Sequence, residues 1–141
     1  DMRIAQRGTS ASGITSSGYS TVDRVQSIIT SAGTWTQTQD TDVPTGQGFS
    51  NSFKLECTVA DASPAVTDAL QIQTRFEGQN VQHLKKGTSS AESVTLSFWV
   101  KSNKTGTYVV EVRDMDNNRF KDTEKRLYKI ELFVKEWEDE E

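Results

Sequence analysis

The sequence contains few of the residues that staple small folds together or carry out catalysis. Its 141 residues include one cysteine, one histidine and two prolines. A lone cysteine, Cys57, excludes an internal disulfide, so the chain is not a disulfide-stapled scaffold. Because Cys57 falls in a predicted strand and His83 in a polar segment, we expect no nucleophile–base pair. The chain is therefore predicted not to be an enzyme.

The sequence also lacks an excess of positive charge and any long apolar run. Sixteen basic residues stand against twenty acidic ones, with a net charge of −4 and a pI of about 5.1. Binding to nucleic acid by neutralising phosphates needs a basic face, so a nucleic-acid partner is not expected. No stretch approaches the roughly 18 apolar residues that a membrane helix requires. Membrane insertion is therefore not expected either.

Hydroxyl-bearing and β-branched residues dominate what is present. Serine and threonine together account for 32 residues, and valine is twice as frequent as leucine. Val and Thr favour strands, so this composition indicates β-sheets with solvated faces. Leu, Ile, Val and Phe make up only 30 of the 141 residues, which predicts a thin core.

Alternation of apolar and polar residues predicts seven or eight strands. Residues 8–20 are interpreted as a loop, and 79–86 as one short helix closed by Gly87. The short spacing between the strands predicted over residues 21–30 and 34–40 is typical of a hairpin. The predicted strands are residues 1–7, 21–30, 34–40, 50–59, 70–77, 93–102, 107–114 and a last one from 127 or 128 to 134.

This pattern predicts an all-β fold, an antiparallel β-sandwich of jelly-roll type with at most one short helix. A single domain is expected over residues 1–135, and the acidic tail, 136–141, is expected to fray. The alternation turns Cys57 inward. It also places six side chains in the core: Leu96, Phe98, Val100, Tyr108, Val110 and Val112.

The same alternation places Trp99 on the outer face of its strand, among polar residues. If the predicted strands 70–77, 93–102 and 107–114 share a sheet, its outer face combines an indole with amide and charged groups. Such a surface can bind sugars. The candidate ligand-binding residues are Trp99, Gln71, Gln73, Arg75, Glu77, Lys101, Glu111 and Arg113. The alternative is that Trp99 packs beneath a loop or against the N-terminal segment. Trp35 shares its parity with Gln37 and Gln39, and its orientation stays open.

One short motif is a calcium candidate. Asp114, Asp116 and Asn118 alternate as oxygen ligands do at the start of a calcium loop. The glycine and the distal glutamate of an EF-hand are missing, and a hairpin turn needs Asp and Asn in any case. The turn is the favoured interpretation, and no other cofactor is expected.

Several phrases of the sequence, taken in order, resemble the jelly-roll domain of structural and tail-fibre-like proteins of marine, cyanophage-like bacteriophages. The resemblance covers residues 2 to about 119. It is carried by residues 4–10, 18–24, 48–52, 62–65, 77–80, 95–108 and 116–119. It implies a component of the virion with a sandwich similar to a carbohydrate-binding module.

The resemblance fades after residue 119. The family continues beyond a Tyr-x-Ile strand and a Trp-Glu pair, to which Tyr128, Ile130, Trp137 and Glu138 correspond. The sandwich is therefore expected to be shortened and completed by association, with a homotrimer favoured, and with other virion proteins as partners. The expected function is non-enzymatic attachment of the virion or tail fibre to a host-surface glycan. The alternative is a purely structural role in virion assembly or capsid decoration.

Overall fold

The fold is described from a computed structural model of the chain, which describes residues 2–112 and the backbone of residues 130–136. The chain divides into two compact units, Asp1–Phe76 and Glu77–Glu141. Each unit is described by itself below. The expectation of a single domain over residues 1–135 stays a prediction, and residues 137–141 of the acidic tail lie outside the described residues.

The all-β fold class is confirmed. One short 3₁₀ helix, Gly78–Leu84, accompanies the strands, and most of the strand pairs are antiparallel. The jelly-roll connectivity stays a prediction. The strands are β1 Ser10–Ile14, β2 Val25–Thr30, β3 Thr34–Asp40, β4 Ser52–Val59, β5 Ala69–Thr74, β6 Val94–Val100 and β7 Ile130–Glu136.

Two small sheets form the first unit. One has the order β1-β3-β4, and the other pairs β2 with β5, all antiparallel. The sheets face each other at a buried hydrogen bond, which Gln37 Nε2 of β3 donates to Ser27 Oγ of β2 over 2.6 Å. The core around this bond is thin and partly polar, as the composition predicts. Its fully or nearly buried side chains are Thr21, Val22, Val25, Ser27, Ile29 and Gln37.

The hairpin predicted between β2 and β3 is wrong. The two strands belong to different sheets, and the residues between them carry the chain from one sheet to the other. Ser31 and Gly33 adopt positive φ angles of 47° and 85° there. A Cβ on Gly33 would lie 2.5 Å from the carbonyl oxygen of Val59, so glycine is required for this close approach. Gly33, which suggested a hairpin turn, is instead required where the chain passes from one sheet to the other.

The N-terminal prediction is also wrong. Residues 2–7 form no strand, whereas β1 lies inside the segment predicted as a loop. The Ser/Ala/Gly composition of β1 carries no apolar alternation, and the strand exists because it pairs with β3. Residues 2–7 are held by other bonds. Met2 N donates to Asn51 O over 3.3 Å, and Gln39 Nε2 donates to Met2 O over 2.6 Å.

The second unit contains the helix and the β6–β7 pair. The helix is confirmed near its predicted position, but its C-cap is Lys85, which adopts a left-handed conformation, and not Gly87. Strand β6 is confirmed, and β7 overlaps the predicted last strand. The two strands run parallel, which departs from the antiparallel expectation. Residues 107–112 form no strand, so the strand predicted over 107–114 is not found in its described part.

The burial expected in this unit is wrong. Leu96 and Phe98 are only half-buried, and among the described strands β6 pairs with β7 alone. Four of the six side chains expected in the core are exposed: Val100, Tyr108, Val110 and Val112. Within the described residues, no helix has the length and apolar character needed to cross a membrane.

Candidate functional site

The polar face predicted from the sequence is distributed over different sheets. Strand β5, with Gln71 and Gln73, pairs with β2. Gln71 is exposed, and Gln73 Nε2 donates to Gln26 Oε1 over 2.7 Å, so a cross-strand amide pair occupies this side of the sheet. Arg75 and Glu77 follow the end of β5 and are exposed. The face assigned to β5 is therefore polar, but β6 does not extend its sheet.

Trp99 lies in β6, which pairs with β7. It is half-buried, while Thr95 and Ser97, on the same side of the strand, are exposed. Lys101 and Glu111 are exposed and lie outside any strand. Arg113 and the calcium candidates Asp114, Asp116 and Asn118 lie outside the described residues. Across the part of the chain that is described, no group of three or more His, Cys, Asp or Glu residues is placed to hold a metal ion.

An open cleft lies in the first unit, at one end of its two facing sheets. Its volume is about 300 Å³. Its floor comes from the inner face of the β1-β3-β4 sheet, one wall comes from the start of β5, and the rim is the loop between β4 and β5. The described residues that line it are Ala32, Trp35, Cys57, Ala60, Asp61, Pro64, Ala65, Asp68, Ala69 and Leu70. We refer to it as the Trp35 cleft.

The fold decides the orientation of Trp35, which the sequence leaves open. Trp35 shares its side of β3 with Gln37, whose side chain is fully buried against the opposite sheet. Trp35 therefore belongs to the inner face, where its ring is half-buried in the cleft. Its indole Nε1 donates to the carbonyl oxygen of Ala32 over 2.7 Å. The ring is held in place by this bond, and its N–H is already used.

The sheet is irregular on both sides of Trp35. The pairing of β1 with β3 shifts by one residue between Ala11 and Ile14, and Ile14 is the residue that faces Trp35. The pairing of β3 with β4 shifts between Thr34 and Trp35, so that β4 has one extra residue before Val59. Such bulges bend a strand, and they are common beside functional sites because they redirect side chains. Here the distorted end of the sheet opens into the cleft.

The rim loop carries two anchored carboxylates. Asp61 Oδ1 accepts a hydrogen bond from Ser63 N over 2.9 Å, and Asp68 Oδ2 accepts one from Ala65 N over 2.7 Å. One oxygen of each carboxylate is therefore held by the backbone, and within the described residues the other oxygen accepts no hydrogen bond. Gly33 packs against the backbone of residues 59–61, which fixes the base of this loop on the sheet.

The prediction that Cys57 is buried is wrong. Cys57 faces Trp35 across the β3–β4 ladder and lies on the inner side with Leu55, as the alternation predicts. Its side chain is nevertheless exposed, because the inner face at this end of the strand opens into the cleft. His83, the single histidine, lies in the helix of the second unit and is exposed, as expected.

The side chains that line the cleft are of the kinds that bind sugars. An aromatic face accommodates the apolar C–H side of a pyranose ring, and carboxylate oxygens accept hydrogen bonds from its hydroxyl groups. The volume lies at the lower limit for ligand pockets, which fits a small ligand such as one sugar residue. The sequence draws attention to Trp35 but does not predict which residues surround it. Those neighbours depend on the Trp35–Cys57 register and on the path of the rim loop.

Comparison of the chain with known proteins gives no match. No protein-family model, no curated protein and no solved structure matches it.

Proposed function

We propose that this chain is a non-enzymatic glycan-binding domain of a phage virion or tail fibre, and that the Trp35 cleft is its binding site. The observation that carries the proposal is the pairing of the fixed Trp35 ring with the anchored carboxylates of Asp61 and Asp68 around one opening. The resemblance of the sequence to phage jelly-roll domains supports the virion context and a host-surface glycan as the ligand.

Binding at a single cleft of this kind is weak. The cleft is open, and hydrogen bonds to a sugar replace bonds that both partners already make with water, so the net gain per bond is small. An affinity near the millimolar range corresponds to about 4 kcal/mol. Several copies on one particle then bind a surface by avidity, because each further contact forms at a high effective concentration. A virion or fibre displays copies in this way.

A multivalent glycan array tests the proposal. The chain is coupled at high density to fluorescent beads and applied to immobilised glycans, since monomeric protein would be lost in washing at millimolar affinity. Glycans retained on the array are then titrated into ¹⁵N-labelled protein. Retention of a defined set of glycans, together with a shift of the Trp35 indole resonance, is expected. The absence of any retained glycan would exclude the proposal.

A second function, assembly through self-association, is favoured by a separate observation. Leu70 and Ile72 lie on the side of β5 that faces inward with Ile29, yet they are 37% and 57% exposed, and Phe76, two residues beyond the strand, is 66% exposed. Within the described chain, β5 pairs only with β2, and its apolar side is left partly uncovered. We propose that a second copy of this chain covers it, with strand pairing at the open edge of β5 and a trimer favoured.

Replacement of Ile72 by lysine tests this assembly. A charge on the extended apolar face would have to be buried at the interface without a partner, so Ile72→Lys is expected to convert the oligomer to monomer. Gln71→Lys, which adds the same charge on the opposite side of β5, is expected to leave the oligomer intact. Sedimentation velocity distinguishes these results. A wild-type chain that stays monomeric at high concentration would contradict the assembly proposal.

A further inference from the structure

The side chains that line the Trp35 cleft offer hydrogen-bond acceptors and almost no donors. The indole N–H of Trp35 is used by Ala32 O. The carboxylates of Asp61 and Asp68 only accept, and the remaining lining side chains are apolar except for Cys57, whose thiol is a weak donor. Among the described residues that line the cleft, none is Lys, Arg or His. The lining side chains therefore favour a ligand that carries hydrogen-bond donors of its own.

The two carboxylates also impose an electrostatic requirement. Both are anchored on the rim by backbone N–H groups, so they cannot swing away from an approaching negative charge without losing those bonds. Two unit charges of the same sign at 4 Å repel each other by an amount equivalent to about a fivefold change in affinity even at the dielectric constant of water.

From these two observations we infer that the cleft selects sugars that carry no negative charge. This inference rests on the proposed glycan-binding function and specifies its ligand class. Neutral pyranoses present several hydroxyl donors and an apolar ring face, which match the free carboxylate oxygens and the Trp35 ring. Uronic acids, sialic acids and sulfated sugars carry anionic groups that only accept hydrogen bonds. The two carboxylates repel these groups, and almost no side chain of the cleft can donate a hydrogen bond to them. Asp61 and Asp68 are the residues that determine this specificity.

Matched pairs of monosaccharides provide the test. The methyl glycosides of glucose, galactose and mannose are titrated against their methyl uronides, which differ only by oxidation at C6. The Trp35 indole N–H resonance of ¹⁵N-labelled protein reports binding at the cleft. At low ionic strength, at least one neutral glycoside is expected to bind about fivefold or more tightly than its uronide. The difference is expected to shrink in about 1 M salt, where charges are screened beyond about 3 Å.

The double variant Asp61→Asn, Asp68→Asn assigns the discrimination to these two residues. Each asparagine keeps an oxygen that can accept the backbone N–H bond, but it removes the charge and adds a donor. The preference for the neutral sugar is expected to disappear. Glu56→Gln is the control, because it removes one carboxylate charge from β4 where the strand faces away from the cleft. This control is expected to keep the preference.

The outcomes separate the inference from the proposed function. Equal binding of a neutral sugar and its uronide at the Trp35 resonance would overturn the inference and leave glycan binding in place. A preference that survives in the Asp61→Asn, Asp68→Asn variant would also overturn it. A failure of all sugars, including those on the multivalent array, would overturn both.

Discussion

Trp35→Ala is expected to remove glycan binding, with an apparent affinity at least tenfold weaker than that of the unsubstituted chain. The ring of Trp35 is the only aromatic surface in the described lining of the cleft, so its loss leaves two carboxylates and small apolar groups. A stacked aromatic contact contributes on the order of 0.5–1.5 kcal/mol beyond the area it buries. When both the stacking energy and the buried apolar area are lost, a millimolar affinity becomes too weak to measure. Bead retention on the glycan array measures this, because the variant lacks the Trp35 indole resonance that reports binding by NMR.

Trp99→Ala is the matched control, because Trp99 is also a half-buried indole in a strand, but it belongs to the second unit. It is expected to bind glycans as the unsubstituted chain does. Trp35→Phe keeps a ring at the floor of the cleft and is expected to retain partial binding, which separates the loss of the ring from an effect on folding. If Trp99→Ala removed binding and Trp35→Ala did not, the outer face of β6 would be the binding platform, as the sequence pattern suggests.

Gln37→Ala is expected to lower the free energy of unfolding by about 2–4 kcal/mol. The side chain is fully buried between the two sheets, so truncation leaves a cavity and deprives Ser27 of a short hydrogen bond. A loss of this size is a large share of the roughly 5–15 kcal/mol that stabilises a domain. Gln71→Ala, at an exposed position of β5, is expected to change stability by less than about 0.5 kcal/mol. Urea unfolding compares the two variants.

The buried hydrogen bond between Gln37 and Ser27 can also be tested by comparing the stability of two variants. Gln37 Oε1 and Thr21 Oγ1 are buried without a hydrogen-bond partner in the described part of the chain, so the amide is only partly satisfied. Replacing both partners of a buried hydrogen bond by apolar groups of similar volume is often close to neutral. The double variant Ser27→Ala, Gln37→Leu is therefore expected to be more stable than Gln37→Ala. A Gln37→Ala variant as stable as Gln71→Ala would show that this bond does not hold the sheets together.

Local pattern was sufficient for the fold class and for several elements. Strands β3, β4 and β6 lie where apolar and polar residues alternate or where Thr and Trp favour extended backbone, because those preferences act within a few neighbouring residues. The helix after Gly78 and the exposure of His83 are likewise confirmed. The polar side of β5 was also predictable, since the parity of Gln71 and Gln73 does not depend on the partner strand.

Strand partners and burial were decided only by the tertiary structure. Strand β1 exists because β3 offers it an edge, and residues 107–112 form no strand despite their alternation. Parity identifies the two faces of a strand but not what covers them, so Val100 and Ile72 are exposed on faces that the pattern marks as apolar. The Trp35 cleft has the same origin. Its residues are brought together by strand register, two bulges and a crossing at Gly33, and these long-range contacts leave no periodic signal in the sequence.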